Sequence, residues 1–258
     1  MNSDEMFNWP DADVVLHCTH GTESRDFRVH KFLLSFTSPV FKDMFGIPQP
    51  PSSTSDISTV DLNDPPRALE LILRFIYPSP VLPVINNLAI VSEALSLADK
   101  YDIGVARSRL RASLMEFTKS DPLRVYAIAC RFGLEDEMKI ASSYTISHEL
   151  SELTQLPDEF KFVSAIEYHR LTHLRARYRK EVVAIAALSL PDLSVFGSRV
   201  DRGTVRRSIV DTVMKGTPLE YGPFTRALKT EYGVDVEAAI VNSIGSVLDR
   251  INALNLTV

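Results

Sequence analysis

Ala12-Asp13-Val14-Val15-Leu16, Phe27-Arg28-Val29-His30-Lys31 and Ser38-Pro39-Val40-Phe41-Lys42-Asp43-Met44-Phe45 together decide how the fold is read. Val14 to Cys18 reads as a strand, and the turn-rich Thr19-His20-Gly21-Thr22-Glu23 follows it. Phe27 and Val29 then alternate with Asp26 and Arg28, the period of two that marks a half-buried strand. A β-hairpin therefore opens the chain. Ser38 supplies a helix N-cap, and Pro39 occupies the first helical position, where its missing N–H costs nothing. Val40, Phe41, Met44 and Phe45 share one face of that helix, a spacing that predicts core rather than an exposed patch.

Outward from this block, Pro48 to Ser55 is a proline- and serine-rich loop, and Ile57 to Leu62 fits a short third strand. Asp64-Pro65 opens a helix carrying Leu69, Ile72, Leu73 and Ile76, which stops at Tyr77-Pro78-Ser79-Pro80. Leu88, Val91, Leu95 and Ala98 make the next apolar stripe; Ile103, Ala106, Leu110, Leu114 and Phe117 make another. Beyond Ser120 the strand signal nearly vanishes. Asp121-Pro122 caps a helix with Leu123, Tyr126 and Cys130, and Gly133 separates it from one with Met138 and Ala141. From about Pro157 the spacing predicts a long amphipathic helix with Leu171, Leu174, Tyr178, Val182 and Ile185 on one stripe. Val236, Ile240, Ile244, Val247, Ile251 and Leu254 repeat with helical spacing behind Asp235; fewer than three heptads favour packing within the chain over a coiled coil. The fold class is α+β, a mixed N-terminal domain followed by an all-α region, with the border near Thr118 to Pro122.

The chain has 258 residues, 45% hydrophobic and 24% charged, which excludes a chain disordered throughout. The net charge of −5 argues against a general binder of phosphate backbones. Two distant cysteines, Cys18 and Cys130, make no disulfide framework and favour a reducing compartment. The acidic start Met1-Asn2-Ser3-Asp4-Glu5 has no secretory pattern, and the longest apolar stretch, Val182 to Leu190, is about half a membrane span. A soluble protein of cytoplasm or nucleus, without membrane contact, is expected.

The N-terminal order, with Leu34, then Leu71-Ile72-Leu73-Arg74-Phe75-Ile76-Tyr77 and Ala94-Leu95-Ser96-Leu97-Ala98-Asp99-Lys100-Tyr101-Asp102, resembles the BTB/POZ domain, over residues 10–118. Gly46-Ile47-Pro48-Gln49-Pro50-Pro51 and the stretch Arg124 to Leu134 are similar to the fungal branch of that family. The latter also resembles the first helices of a BACK-type extension, at the head of a helical region over 121–258. The resemblance implies the BTB fold, a small sheet with a cluster of helices, and a protein-interaction scaffold rather than an enzyme. It implies a homodimer, with Asp13 and Lys31 as a charged pair at the dimer groove and Leu34 at the interface. A cullin-type ubiquitin ligase is a further partner the family suggests, as is a role with transcriptional co-regulators. Cullin-binding members carry a hydrophobic-x-Glu element after the helix at Pro39 to Phe45, yet no Glu occurs here between Glu23 and Glu70.

No pattern of catalytic chemistry emerges. None of the ten glycines forms a dinucleotide, P-loop or nucleophile-elbow motif. His17-Cys18-Thr19-His20 clusters ligand-type residues, but strand alternation separates them across faces. His30, at a strand-to-helix junction, reads as a structural hydrogen-bonding residue. His169 and His173 share a helical face, but Arg170 stands where a zinc protease needs Glu. Arg170, His173, Arg177 and Lys180 form a basic face for a possible partner, and the acidic total weighs against nucleic acid. No metal and no cofactor are expected.

Overall fold

The computed structural model describes residues 7–47, 57–78, 83–146 and 156–189, together with positions 203, 207, 210 and 211. It divides into two compact units, Met1–Phe117 and Thr118–Val258. The Pro48–Ser55 loop and the stripe from Val236 to Leu254 lie outside the described residues, as does the side chain of Ile185.

The first unit is built on three strands, β1 (Val14–His20), β2 (Glu23–Val29) and β3 (Ser58–Leu62), in the order β2-β1-β3. β1 and β2 form the expected hairpin, with Leu16 opposite Phe27 and His17 opposite Asp26; β3 runs parallel to β1. Gly21 occupies the first loop position at φ +59°, where a side-chain-bearing residue would be strained. The pleat points Val14, Leu16, Cys18, Phe27 and Val29 inward, each at 0% exposure. His17 points out, between Asp26 and Asp61 on the flanking strands.

Five helices cover the inner face: α1 (Lys31–Thr37), α2 (Pro39–Gly46), α3 (Pro66–Ile76), α4 (Leu88–Lys100) and α5 (Gly104–Glu116). The Ser38 hydroxyl accepts the Phe41 N–H at 3.0 Å and donates to the Tyr101 carbonyl, so the cap of α2 also docks it onto the end of α4. α3 starts at Pro66, and Asp64 is no cap. Its carboxylate is buried and takes the Lys100 ammonium at 2.7 and 2.9 Å and the Tyr101 hydroxyl. Its backbone carbonyl accepts the Cys18 thiol at 2.9 Å. On the other side of α3, Glu70 binds both Arg74 and Arg25, joining the helix to β2.

In the second unit, α6 (Pro122–Arg131) is the centre, with Leu123, Val125, Tyr126, Ala127, Ile128, Ala129 and Cys130 all buried; α7 (Glu135–Thr145) packs beside it. The helix expected from Pro157 starts later. Asp158–Phe162 form one 3-10 turn, Val163 is extended, and α8 runs from Ala165 to Ser189. The delay has a local cause: the Ser164 hydroxyl accepts the Glu167 N–H at 3.2 Å while the Glu167 carboxylate accepts the Ser164 N–H at 2.8 Å. This reciprocal capping box fixes the helix start. Arg124 holds Glu159 at 2.6 Å, and the Tyr126 hydroxyl donates to the Glu167 carbonyl at 2.9 Å, anchoring turn and helix to α6.

α4 and α6 end in the same way. Ile103 N–H reaches the Ala98 carbonyl at 2.8 Å and Asp102 N–H that of Asp99 at 3.3 Å; Leu134 and Gly133 do the same to Ala129 and Cys130 at 2.9 and 3.2 Å. Such a termination needs a left-handed residue, which is Gly133 at φ +62° in one helix and Asp102 at φ +50° in the other. Replacing Gly133 with Ala should lower stability by about 1 kcal/mol, while Asp102→Gly should be neutral or raise it by up to ~1 kcal/mol. Urea denaturation of both variants checks this, and equal losses would contradict it.

His17 Nδ1 lies 2.6 Å from an Asp26 carboxylate oxygen, a hydrogen bond that raises its pKa, with the charges of Asp26 and Asp61 adding to it. A folded pKa above the unfolded one stabilises the fold at low pH, and the benefit fades as pH rises through the folded value. His17→Gln should therefore narrow the difference in urea midpoint between about pH 6 and about pH 8. An unchanged difference would exclude His17 as its source.

Candidate interaction surface

α1 is the element through which the resemblance anticipates self-association, and its seven residues divide sharply. Leu34 is at 0% exposure, while Phe32 and Phe36 are 74% and 80% exposed. Positions four apart share a helical face, and the two rings lie 6.3 Å apart at an interplanar angle of 23°, stacked on the outside. Leu34, which the resemblance puts at the dimer interface, is buried in the chain's own core, and Phe32 and Phe36 are the residues of α1 turned outward. Fully burying two phenylalanines is worth about 1.5–3 kcal/mol each.

α2 orients α1 from behind. Phe41 is at 0% exposure and stacks on Tyr101 with centroids 4.5 Å apart, while Met44 and Phe45 are half-buried. Asp13 and Lys31 do meet at the start of α1. The contact is a cap: the Lys31 backbone N–H donates to the Asp13 carboxylate at 2.7 Å, and the Lys31 ammonium lies 5.8 Å above the Phe45 ring. Asp13 thereby serves the N-terminus of a helix whose N-cap position, His30, gives no side-chain bond to it.

His30 is held by hydrogen bonds. The Tyr77 hydroxyl accepts the His30 backbone N–H at 2.8 Å and lies 3.0 Å from His30 Nδ1. Nε2 of the same ring lies 3.4 Å from the Asp11 carboxylate. Phe7 and Trp9 pack on the Tyr77 ring, 5.6 and 6.1 Å away, and the Arg28 N–H donates to the Phe7 carbonyl at 2.8 Å. Burial pushes the Tyr77 hydroxyl up to about 12. The residues before the hairpin are thus fastened beside α1, a placement the sequence reading missed because Phe7 and Trp9 belong to no periodic element.

Ligand chemistry gains little from the remaining candidates. His17 faces out and Cys18 in, and the His169 and His173 rings lie tilted to each other with centroids 6.1 Å apart on an exposed face. Among the described residues, no three His, Cys, Asp or Glu side chains gather as a metal site, and no helix is long and apolar enough to cross a membrane. Burial pushes the Cys18 thiol up to about 11 and that of Cys130 to about 12, so both are neutral and inert near pH 7. A cleft of about 340 Å³ beside α3 is lined by Arg67, Glu70, Leu71, Arg74, Ile85 and Ile90, but its acid already serves Arg25 and Arg74.

On α8, Arg170, His173, Arg177 and Lys180 are all exposed, opposite the buried Leu171, Leu174 and Val182. Among the described residues, none of Arg170, Arg177, Arg179 and Lys180 makes an ion pair. Arg175 differs, being only 7% exposed.

Known proteins add the family. Residues 4–118 match the model of the BTB/POZ domain. Kelch-like protein 17 of Homo sapiens is 26% identical over 137 residues, 53% of this chain and 20% of that protein, and the Mus musculus protein gives the same figures. The chain thus spans about a fifth of the length of these relatives. A BTB/POZ domain-containing protein of Arabidopsis thaliana is 29% identical over 159 residues, 60% of this chain and 69% of that one. The three-stranded sheet, the helices packed on it and the family match over the same residues agree: the N-terminal part of this chain, residues 4–118, is a BTB/POZ domain.

Proposed function

We propose that this chain is a non-enzymatic interaction scaffold of cytoplasm or nucleus that pairs with a second copy of itself through the outer face of α1 and presents its helical region to another protein. The observation that carries the reading is the stacked pair Phe32 and Phe36, at 74% and 80% exposure on a helix whose opposite side is core. A single exposed leucine is unremarkable, whereas two adjacent exposed aromatics mark an interaction face. A two-fold axis beside α1 would stack four such rings and cover both patches at once. Asp13 and Lys31, at the same end of α1, lie where their charges reach the rim of that contact. The helical region is read as BACK-like at its start on the strength of Arg124 to Leu134, and the fungal affinity rests on that stretch and on Gly46 to Pro51.

Substrate adaptor for a cullin-type ligase is the second reading, favoured by the similarity to Kelch-like protein 17. The absence of Glu between Glu23 and Glu70 stands against the usual contact.

Light scattering over a wide concentration range tests the self-association. The parent should give twice 28.9 kDa, and Phe32→Ser with Phe36→Ser should shift the chain to 28.9 kDa with an unchanged circular dichroism spectrum. Asp13→Ala with Lys31→Ala should weaken the dimer at low salt by less than about tenfold, as rim charges do. A parent that stays monomeric, or a serine variant that stays dimeric, would refute the assignment.

A further inference from the structure

We infer that the exposed face of α8 is a docking surface for an acidic, amphipathic segment of a partner protein, with carboxylates along Arg170, His173, Arg177 and Lys180 and an apolar residue at Ile166. This rests on the reading of the chain as an interaction scaffold and names what its helical region would bind.

Tyr168 to Lys180 contain five Lys or Arg, two His and no Asp or Glu, in a chain of net charge −5. Like charges at such spacings repel on a helix. Arg177 and Lys180 stand three apart; Glu167 and Glu181 bound the stretch, and Glu181, four residues after Arg177, shares its face. Arg170, His173, Arg177 and Lys180 follow one outward stripe about 15 Å long, at about 1.5 Å per residue. That length suits four carboxylates spaced three and four residues apart on a facing helix.

Three features bear on the occupant. The first is arginine: planar guanidinium forks suit carboxylates, as they do phosphates, in two-point contact. The second is apolar surface at the N-terminal end of the stripe. Ile166 is 67% exposed and Phe162 42%, with the Arg131 guanidinium 4.2 Å from the Phe162 ring centroid. Arginine beside an apolar anchor is typical of a protein hot spot, and a phosphate backbone has no use for the isoleucine. The third is reach. Outside Tyr168 to Lys180 the chain carries a net −10, which repels a long duplex, whereas a short segment senses only charges within a screening length of about 8 Å.

The probe is a fluorescein-labelled helical peptide of about sixteen residues, with glutamates three and four apart and leucines on the adjoining face. Fluorescence anisotropy with the full chain at about 0.15 M salt should give a Kd in the micromolar range. Arg170→Glu with Arg177→Glu and Lys180→Glu should weaken binding at least about tenfold, and Ile166→Ser about threefold. If the charge reversal unfolds the chain, the same three positions changed to Gln should show the smaller loss in a folded protein. Light scattering of the α8 variants should give the parent's mass; this readout separates failure of the docking face from failure of the scaffold reading. No binding at about 100 μM peptide, binding indifferent to the charge reversal, or tighter binding of a DNA duplex or of phosphatidylserine vesicles at equal salt would each overturn the proposal.

Discussion

The BTB unit is held in register by one buried carboxylate. Asp64 sits on the short link between β3 and α3, and it binds the Lys100 ammonium and the Tyr101 hydroxyl at the end of α4 while its carbonyl takes the Cys18 thiol of β1. Tyr101 passes the constraint on. Its carbonyl receives the Ser38 hydroxyl, and its ring stacks on Phe41, so the turn between α1 and α2 is positioned from the same point. An ion pair with one partner this deeply buried gains little net energy, because desolvation offsets attraction. What it supplies is geometry: packings that part Asp64 from Lys100 leave a buried carboxylate uncompensated and are disfavoured. Burial and the Asp64 hydrogen bond together push the Tyr101 hydroxyl far above its ordinary range, keeping it a donor at every physiological pH.

From that anchor the outer face of α1 follows. With Leu34 held in the core and Phe41 on Tyr101, the helix can only turn Phe32 and Phe36 outward. The Asp13 carboxylate caps the first turn of α1, and Phe7 and Trp9 pack on the Tyr77 ring, whose hydroxyl bonds His30 just before that turn. α8 supplies a surface of different character, cationic and arginine-rich.

Much of this was legible in the residues. Period two gave the hairpin, and period 3.6 gave α3 to α6, because buried faces impose those repeats on sequence. Ser38-Pro39 reads correctly as a cap. Three things were not legible, each for a physical reason. Asp64 precedes a Pro-Pro pair and reads as a helix opener; only the three-dimensional arrival of Lys100 and Tyr101 makes it a buried anchor. On α1, Phe32, Leu33, Leu34 and Phe36 are all apolar, so no periodicity tells the core side, where Leu34 lies, from the outer side of Phe32 and Phe36. The start of α8 was displaced because apolar spacing is blind to the Ser164–Glu167 capping box, although that Ser-x-x-Glu pattern stands in the sequence.

Hydroxyl-radical footprinting across a dilution series reads the exposure of each ring in place without altering it. If α1 pairs with a second copy, oxidation of Phe32 and Phe36 falls steeply as the chain is concentrated, while Ile47 and Val105, exposed elsewhere on the same unit, oxidise at a constant rate. Protection that is equal at all four residues, or absent from the two phenylalanines at concentrations where the mass has doubled, would contradict this pairing.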